Sequence, residues 1–507
     1  MAGFPQDFID NTRAVFGERA QEVLDALASG ESVTAVRANP AKMDPAALAG
    51  RFGASSPVPW RADAFYLEER PVFALDPLFH AGAYYVQDAA AMAVGTVADA
   101  VIAAENRPLK VLDLCAAPGG KSTCLAASLG PSDLLVANEV IGSRAGILAE
   151  NLVKWGYVNT IVTNNDPKDF ARLGATFDII LADVPCSGEG MFRKDSEAVA
   201  EWSPENVRLC VARQRRIVAD VWDSLREGGW LIYSTCTFNT LENDDNVEWI
   251  CRELGAELVP LSEAPSCVGR LLPGGLLSRL AALARTLPPY PSSSADADNS
   301  SKAGPSRYIE RGCSHPRESN CRPPEGAIAT KFGLQFAPGI TRGEGQYVAV
   351  MRKTAAAKPG KQGKPAKNAK VVKCDWVGDE VVCCEVQTSA GPLIKACPAN
   401  LQADIHAIEA SLRAIRSGVA VAAVKGRDLI PQADLALSRA FNRSAFPQIE
   451  LSKEQALSFL RCEALQLPDA PRGFIAVTYE QLPIGFVKNL GSRANNLFPQ
   501  TWRLRMS

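Results

Sequence analysis

Between residues 84 and 255 the apolar positions form short unbroken runs separated by longer stretches with helical spacing. The runs are KVLDLCA (110–116), LLVANEV (134–140), TIVTNN (160–165), DIILADV (178–184) and GWLIYSTC (229–236). Between them lie SRAGILAENLVKWG (143–156) and ENVRLCVARQRRIVADVWDSLREG (205–228). Strands apolar on both faces and alternating with helices predict a doubly wound α/β sheet. In residues 1–75, FIDNTRAVFG and AQEVLDALAS have helical spacing and VTAVRANP reads as extended, so a small, mostly helical module is expected there. Residues 371–507 begin strand-like with VVKCDWVGDEVVCCEV, continue through a helical stretch and end in GFIAVTYEQLPIGFVKN, an α+β pattern. No repeat with a period of 20–50 residues is visible.

Composition places the boundaries. Residues 288–326 are rich in Pro, Ser and Gly and read as a flexible insertion in a domain spanning 76–353, whose last strand is in GEGQYVAVMRK. TAAAKPGKQGKPAKNAK (354–370) reads as a basic linker to the 371–507 segment. Charge divides unevenly: residues 1–351 carry 32 basic and 43 acidic residues, whereas 352–373 carry eight basic and no acidic ones. Any nucleic-acid binding by the front of the chain must therefore use local patches. No apolar run reaches the roughly 18 residues of a membrane span. The N-terminal stretch lacks the basic-then-apolar pattern of a secretory signal, and the 14 cysteines are scattered. A cytoplasmic, membrane-free protein is expected, with a monomer as the default. Cys313, His315 and Cys321 have metal-like spacing but lack a fourth ligand, so no metal is expected.

The first run leads through Cys115-Ala116-Ala117-Pro118-Gly119-Gly120-Lys121 into a helix. Its glycines allow close backbone approach to a ligand at the helix N-terminus. GGKS ends like a phosphate-cradling loop, which would make a nucleotide hydrolase, but Cys115 stands where that motif needs glycine. Glu139, 20 residues after Gly119, has the spacing of a ribose-binding carboxylate. GxGxxG is absent, and a nucleoside ligand such as S-adenosylmethionine suits the crevice. Asp166 reads equally as a contact to the adenine edge or as a helix N-cap. Cys186 in ADVPCSG and Cys236 in YSTCT close two later strands, and strand carboxyl ends line the ligand crevice.

CAAPGGK, ADVPCSG and YSTCT, in this order and spacing, resemble the Sun (NSUN) family of RNA cytosine-5 methyltransferases. Arg37-Ala38-Asn39 resembles that family's RVN segment and Tyr85-Val86-Gln87-Asp88 its Y-x-Q-D segment, so the likeness covers most of residues 1–355. AVKGRDLIPQADLALS and LPIGFVKN resemble the tail of bacterial RsmF-type 16S rRNA methyltransferases, which carries a PUA-like RNA-binding barrel. Departures are Ala38 for valine, Pro338-Gly339 in place of Pro-His, and the 288–326 insertion.

The resemblance implies a Rossmann-like methyltransferase domain flanked by RNA-binding modules, with S-adenosylmethionine on residues 115–121, Glu139, Asp166 and Asp183. It implies Cys236 as the nucleophile toward cytosine carbon 6 and Cys186 as the thiol that assists release. Asp183 would support ring nitrogen 3, and Lys121 would either activate the thiol or shape the cofactor loop. A free thiol, with a pKa of about 8.5, needs such activation. The implied substrate is small-subunit rRNA, in the subunit or an assembly intermediate; the alternatives are a tRNA methyltransferase and a non-catalytic assembly factor. RNA contacts are expected around Arg37, at Arg193-Lys194, among the 352–373 lysines and on the barrel. Arg208, Arg213, Arg215 and Arg216 are expected to form mostly a solvated face.

Overall fold

The computed structural model describes residues 3–54, 56–259, 326–356 and 370–506. The 288–325 part of the Pro/Ser/Gly-rich insertion, with its Cys313/His315/Cys321 cluster, and most of the 354–370 linker lie outside these residues.

The N-terminal module contains α1 (Gln6–Phe16), α2 (Ala20–Ser29), β1 (Thr34–Ala38), α3 (Pro45–Phe52), β2 (Ser56–Val58), β3 (Arg61–Leu67), α4 (Pro77–His80) and β4 (Tyr84–Val86). Its strands form a sheet in the order β2-β3-β1-β4. Helix outweighs strand before residue 75, as expected, and a hairpin is added to it. Residues 56–67 form a hairpin, because Val58, Ala64, Tyr66 and Leu67 find burial against neighbouring clusters that helical periodicity could not reveal.

The central unit begins with α5 (Ala89–Ala104), an almost entirely apolar helix capped by the Asp88 side chain on the Ala90 and Ala91 amides. There follow β5 (Lys110–Asp113), α6 (Gly120–Ser128), β6 (Leu134–Asn138), α7 (Gly142–Trp155), β7 (Thr160–Thr163) and β8 (Phe177–Asp183). Then come α8 (Ser196–Glu201), α9 (Pro204–Val221), β9 (Leu225–Thr235), α10 (Asp244–Leu254), β10 (Ala256–Val259), β11 (Ile328–Ala329), β12 (Leu334–Phe336) and β13 (Gln346–Lys353). All five apolar runs are strands. Helix α9 ends earlier than its spacing predicts, because Leu225 is buried in the sheet opposite Phe177 and starts β9.

In the C-terminal part, β14 (Lys370–Val372), β15 (Val381–Thr388), β16 (Gly391–Pro398), α11 (Gln402–Ser411), β17 (Ala414–Ser417), β18 (Val419–Lys425) and β19 (Asp428–Pro431) precede α12 (Ala433–Leu437). The chain continues through β20 (Gln448–Glu450), α13 (Lys453–Leu460), β21 (Gly473–Tyr479), β22 (Leu482–Asn489) and β23 (Ala494–Asn496). Two sheets result, β14-β15-β16-β18-β19 and β20-β21-β22-β23.

The central sheet runs β11-β12-β13-β9-β8-β5-β6-β7-β17, with β10 also on β13. Strands β5 to β9 are parallel; β13 is antiparallel to β9. Chain order reverses between β5 and β8, so the crevice opens at their carboxyl ends. The far strand, β17, comes from the segment read as accessory. It covers the edge of β7, while Ile405 and Ile408 of α11 enter the central core. No helix among the described residues is long and apolar enough to cross a membrane.

Candidate active site

The loop after β5 is held by its backbone. The Ala116 amide donates to Asn138 O at 2.8 Å, Arg144 donates to Ala117 O at 2.9 Å and Asn151 to Pro118 O at 2.8 Å. Gly119, at φ +116°, is the N-cap of α6 and supplies no side chain, leaving the first amides of that helix open to a ligand. Glu139 is buried at the end of β6, with one oxygen accepting from the Ile141 amide and the other 3.3 Å from Arg144. Beside it Val140 and Ile141 are half exposed, an apolar wall at the crevice rim. Asp113 Oδ1, fully buried at the base, has no hydrogen-bond partner. Open amides, a ribose-spaced carboxylate and an apolar wall fit S-adenosylmethionine. Asp166 caps the turn at 167–173 by accepting from the Lys168 amide, so its capping reading is realised.

Asp183, at the end of β8, links this region to the thiols. Its Oδ2 accepts from Lys121 Nζ at 2.8 Å and its Oδ1 from Ser234 Oγ at 2.6 Å. Gln346 Nε2 donates to Ser234 Oγ at 2.6 Å and to Thr235 O at 2.8 Å. Burial works against the charge of Lys121, but Asp183 outweighs it and the Cys236 sulfur adds to the same effect, so the ammonium pKa is raised. Cys186 Sγ and Cys236 Sγ lie 3.2 Å apart, both partly buried. The Cys186 thiol is pushed well above its ordinary value, first by its hydrogen bond to Cys236 and then by burial. Burial, foremost, pushes the Cys115 thiol up as well, which suits a packing role.

All the site residues read from the sequence thus fall at the carboxyl ends of β5 to β9. Sequence reasoning missed Ser234, Gln346, Glu189 and Glu242, which support them. The available signal was the density of polar residues around each cysteine, in CSGEG and TCTFNTLEN, beside strands that are otherwise apolar. Two expected RNA contacts are corrected. Arg37 is fully buried, bonded to Gln87, Thr123 and Gly120 O with its guanidinium over the Trp155 ring. Arg193 is buried against Glu344 and Gly343 O, although Lys194 is about one-third exposed. Of the 352–373 group, Arg352 and Lys353 are also buried, Lys353 donating to Trp222 O and Leu225 O. Both residues end β13, where a strand interior claims what looked like a basic patch. Arg208 and Arg216 are exposed as expected, while Arg215 bonds Asn246 and lies over Trp249. Among the described residues no group of three or more His, Cys, Asp or Glu could hold a metal ion.

Residues 100–266 match the family described as 16S rRNA methyltransferase RsmB/F. Residues 4–89 match the N-terminal domain of 16S rRNA methyltransferase RsmF, and residues 446–504 the methyltransferase RsmF PUA domain. Ribosomal RNA small subunit methyltransferase F of Klebsiella pneumoniae (strain 342) is 31% identical over 465 residues, covering 88% of this chain and 84% of that protein. The same-named protein of Citrobacter koseri is 31% identical over 481 residues, covering 90% and 86%. The crystal structure of PH0851 shares the fold, with a TM-score of 0.52 at 18% identity over 69% of this chain and 66% of that one. The chain belongs to the ribosomal RNA small subunit methyltransferase F family.

Proposed function

We propose that this protein is an S-adenosylmethionine-dependent RNA (cytosine-5)-methyltransferase acting on 16S rRNA of the small ribosomal subunit. The observation that carries the chemistry is the thiol pair, 3.2 Å apart at two adjacent strand ends and next to the Lys121–Asp183 ion pair. Two thiols in contact suit a reaction in which one bonds to the base and the other helps free it. The rRNA assignment is supported by membership in the family and by the relatives' names.

S-adenosylmethionine would supply the methyl group, with Glu139 holding the ribose hydroxyls and residues 115–121 the remainder; Asp166, whose Oδ1 caps at the Lys168 amide, would offer its second oxygen to the adenine edge. Cytosine carbon 5 is a poor nucleophile, so the Cys236 sulfur first adds its electron pair to carbon 6; carbon 5 would then take the methyl group as its bond to the sulfonium sulfur breaks, S-adenosylhomocysteine being the leaving group. The elevated pKa of Cys186 supports this division of labour, because a protonated Cys186 donates to Cys236 and leaves Cys236 as the nucleophile. Asp183 holds Lys121, and the pair supports ring nitrogen 3 as charge develops there. Once Cys236 is consumed in the carbon–sulfur bond, the main cause holding Cys186 protonated is gone. Cys186 can then release its proton to solvent and take the carbon 5 proton. The electrons of that C–H bond form the carbon 5–carbon 6 double bond, and the Cys236 thiolate departs. The base must leave any stack to enter the site, which favours an exposed cytosine.

Incubation with radiolabelled-methyl S-adenosylmethionine and separate pools of 16S rRNA, small subunits and tRNA tests the proposal. Label should enter ribosomal RNA as 5-methylcytosine. Cys236→Ala should lower its rate by more than about 1,000-fold, and Cys186→Ala should accumulate a protein–RNA adduct on denaturing gels. Label confined to tRNA would overturn the substrate; methylation unaffected by Cys236→Ala would overturn the mechanism.

A further inference from the structure

Two buried glutamates lie behind the thiols, and neither pairs with a lysine or arginine among the described residues. Glu242 is fully buried in the loop that follows Cys236. Its Oε2 accepts from the Ser187 amide at 3.0 Å and from Gln214 Nε2 at 2.6 Å, and its Oε1 from Asn239 Nδ2 at 2.8 Å. The same Gln214 nitrogen donates to Pro185 O at 3.1 Å. Cys186 is therefore held on one flank, at Ser187, by a carboxylate of the Cys236 loop, and on the other, at Pro185, by the Gln214 amide that the same carboxylate engages. Asn239 extends the tie, since its Nδ2 also donates to Glu189 Oε1 at 3.0 Å, and Glu189 Oε2 accepts from the Phe238 and Asn239 amides.

Isolated buried carboxylates are expensive, and hydrogen bonds to a charged acceptor are what sustain them. Every neighbour of the Glu242 oxygens is a donor, so only an acceptor with two oxygens satisfies the cluster. A glutamine would turn its own NH₂ toward one of the donors. Reversing the Asn239 amide would not help, because its Oδ1 accepts from the Glu242 amide while its Nδ2 donates also to Glu189 and Thr237.

We infer that Glu242 is a positioning residue for the thiol pair: an anionic staple that joins the Cys186 loop to the Cys236 loop and fixes the separation of the two sulfurs. The inference rests on the reading of Cys186 and Cys236 as the reacting thiols. Glu242 also acts at a distance, since its negative charge is among the causes that raise Cys186, behind the hydrogen bond to Cys236 and burial. The other ionisable groups around this cluster are Tyr233 on β9, Cys210, Arg213 and Arg215 on α9, Glu189, and the Lys121–Asp183 pair.

The test compares Glu242→Gln and Glu242→Asp with the intact protein. Two readouts are used: methyl transfer to 16S rRNA, and iodoacetamide alkylation of Cys186 and Cys236 against pH, resolved by peptide mass spectrometry. Folding is followed by thermal melting. Glu242→Gln should lower kcat by about 100-fold, leave KM for S-adenosylmethionine within about twofold, and move the Cys186 alkylation midpoint down. Glu242→Asp keeps the charge but not the reach, so kcat should still fall by about tenfold or more, and the midpoint, set first by the hydrogen bond to Cys236, should move down as well. An unshifted midpoint in folded Glu242→Gln, or full turnover in Glu242→Asp, would overturn the staple. If the intact protein methylates no RNA, the functional reading fails, and the alkylation profiles still decide the role of Glu242.

Discussion

The two halves of the crevice are built by opposite means. On the side proposed for the cofactor a contiguous segment, residues 115–121, is fixed largely through its own backbone carbonyls and amides, with donors from Asn151 and Arg144 of α7. On the thiol side the backbone leaves the sheet after β8 and β9, and side chains from α9, β9, β13 and the Cys236 loop tie it together. A motif whose hydrogen bonds run through its backbone tolerates many side chains outside its glycines. A site held by side chain on side chain depends on each one, because a buried donor left unpaired costs its full desolvation. The thiol half should therefore be the more brittle of the two.

Asp113 sits where the halves meet, and its titration should give the largest effect on stability. Burial is the main cause that pushes its carboxyl up to about 7, with Ser122 on the cofactor side opposing and Asp183 toward the thiols reinforcing. The folded protein thus holds a proton, between about pH 4 and pH 7, that the unfolded chain has released. Its stabilising contribution is complete below the unfolded pKa and is lost as pH rises through about 7. Between pH 5 and pH 8 that loss is about 3 kcal/mol. Asp113→Asn keeps an oxygen for Ser122 Oγ and places an uncharged group where Oδ1 has no partner. Thermal unfolding of the cofactor-free protein should show the variant gaining on the intact protein as pH rises from 5 to 8. A constant difference in Tm would mean that Asp113 does not titrate there.

Gly190 probes the thiol half directly. A Cβ at this position would stand 2.6 Å from Cys236 O, 2.8 Å from Gly345 Cα and 3.0 Å from Gly345 O, all of them backbone atoms. Gly190→Ala must therefore push the Cys186 loop, on which it lies, away from the Cys236 loop and Gly345, at about 1–3 kcal/mol of stability. Turnover should fall by about 100-fold, while S-adenosylmethionine binding measured by calorimetry stays within about twofold. Equal losses in turnover and cofactor affinity would show that the two halves move together.

The same division explains what could be read from the sequence. Residues 115–121 and Glu139 are legible because a strand, a glycine loop, a helix start and a fixed spacing are all local. Cys186 and Cys236 are legible as strand-end residues, and their pairing follows once both strands belong to one sheet. Gln214, Glu242 and Gln346 were not legible: they are 28 to 132 positions apart and acquire meaning only when α9, the Cys236 loop and β13 pack together. Arg37 misled for the converse reason. An arginine in a short extended segment reads as surface charge, but its planar donors satisfy Gln87 and Thr123 inside the interface between the N-terminal module and the cofactor loop. In β17 only four residues, without alternation, carry the strand, so their union with β7 has no sequence signal.

Gly119→Ala gives the smallest expected effect and the sharpest contrast with Gly190. Gly119 lies at φ +116°, where an L side chain is strained by about 1–3 kcal/mol. Its added Cβ would meet only side chains, Leu148 Cδ1 at 3.3 Å and Asn151 Cβ at 3.5 Å, which can give way. The loop can relieve its strain by turning the first amides of α6 out of line, which weakens their hold on the cofactor without touching β8 or β9. S-adenosylmethionine affinity should fall by about tenfold, or about 1.4 kcal/mol, with kcat at saturating cofactor within about threefold. The alkylation profiles of Cys186 and Cys236 should remain those of the intact protein. If Gly119→Ala shifts the thiol profiles, Lys121, one residue beyond Gly120 and bonded to Asp183, transmits loop strain to the thiols, and the halves are coupled through that ion pair. If it leaves them unchanged while Gly190→Ala alters them, the backbone-held cofactor half and the side-chain-held thiol half are mechanically separate parts of one site.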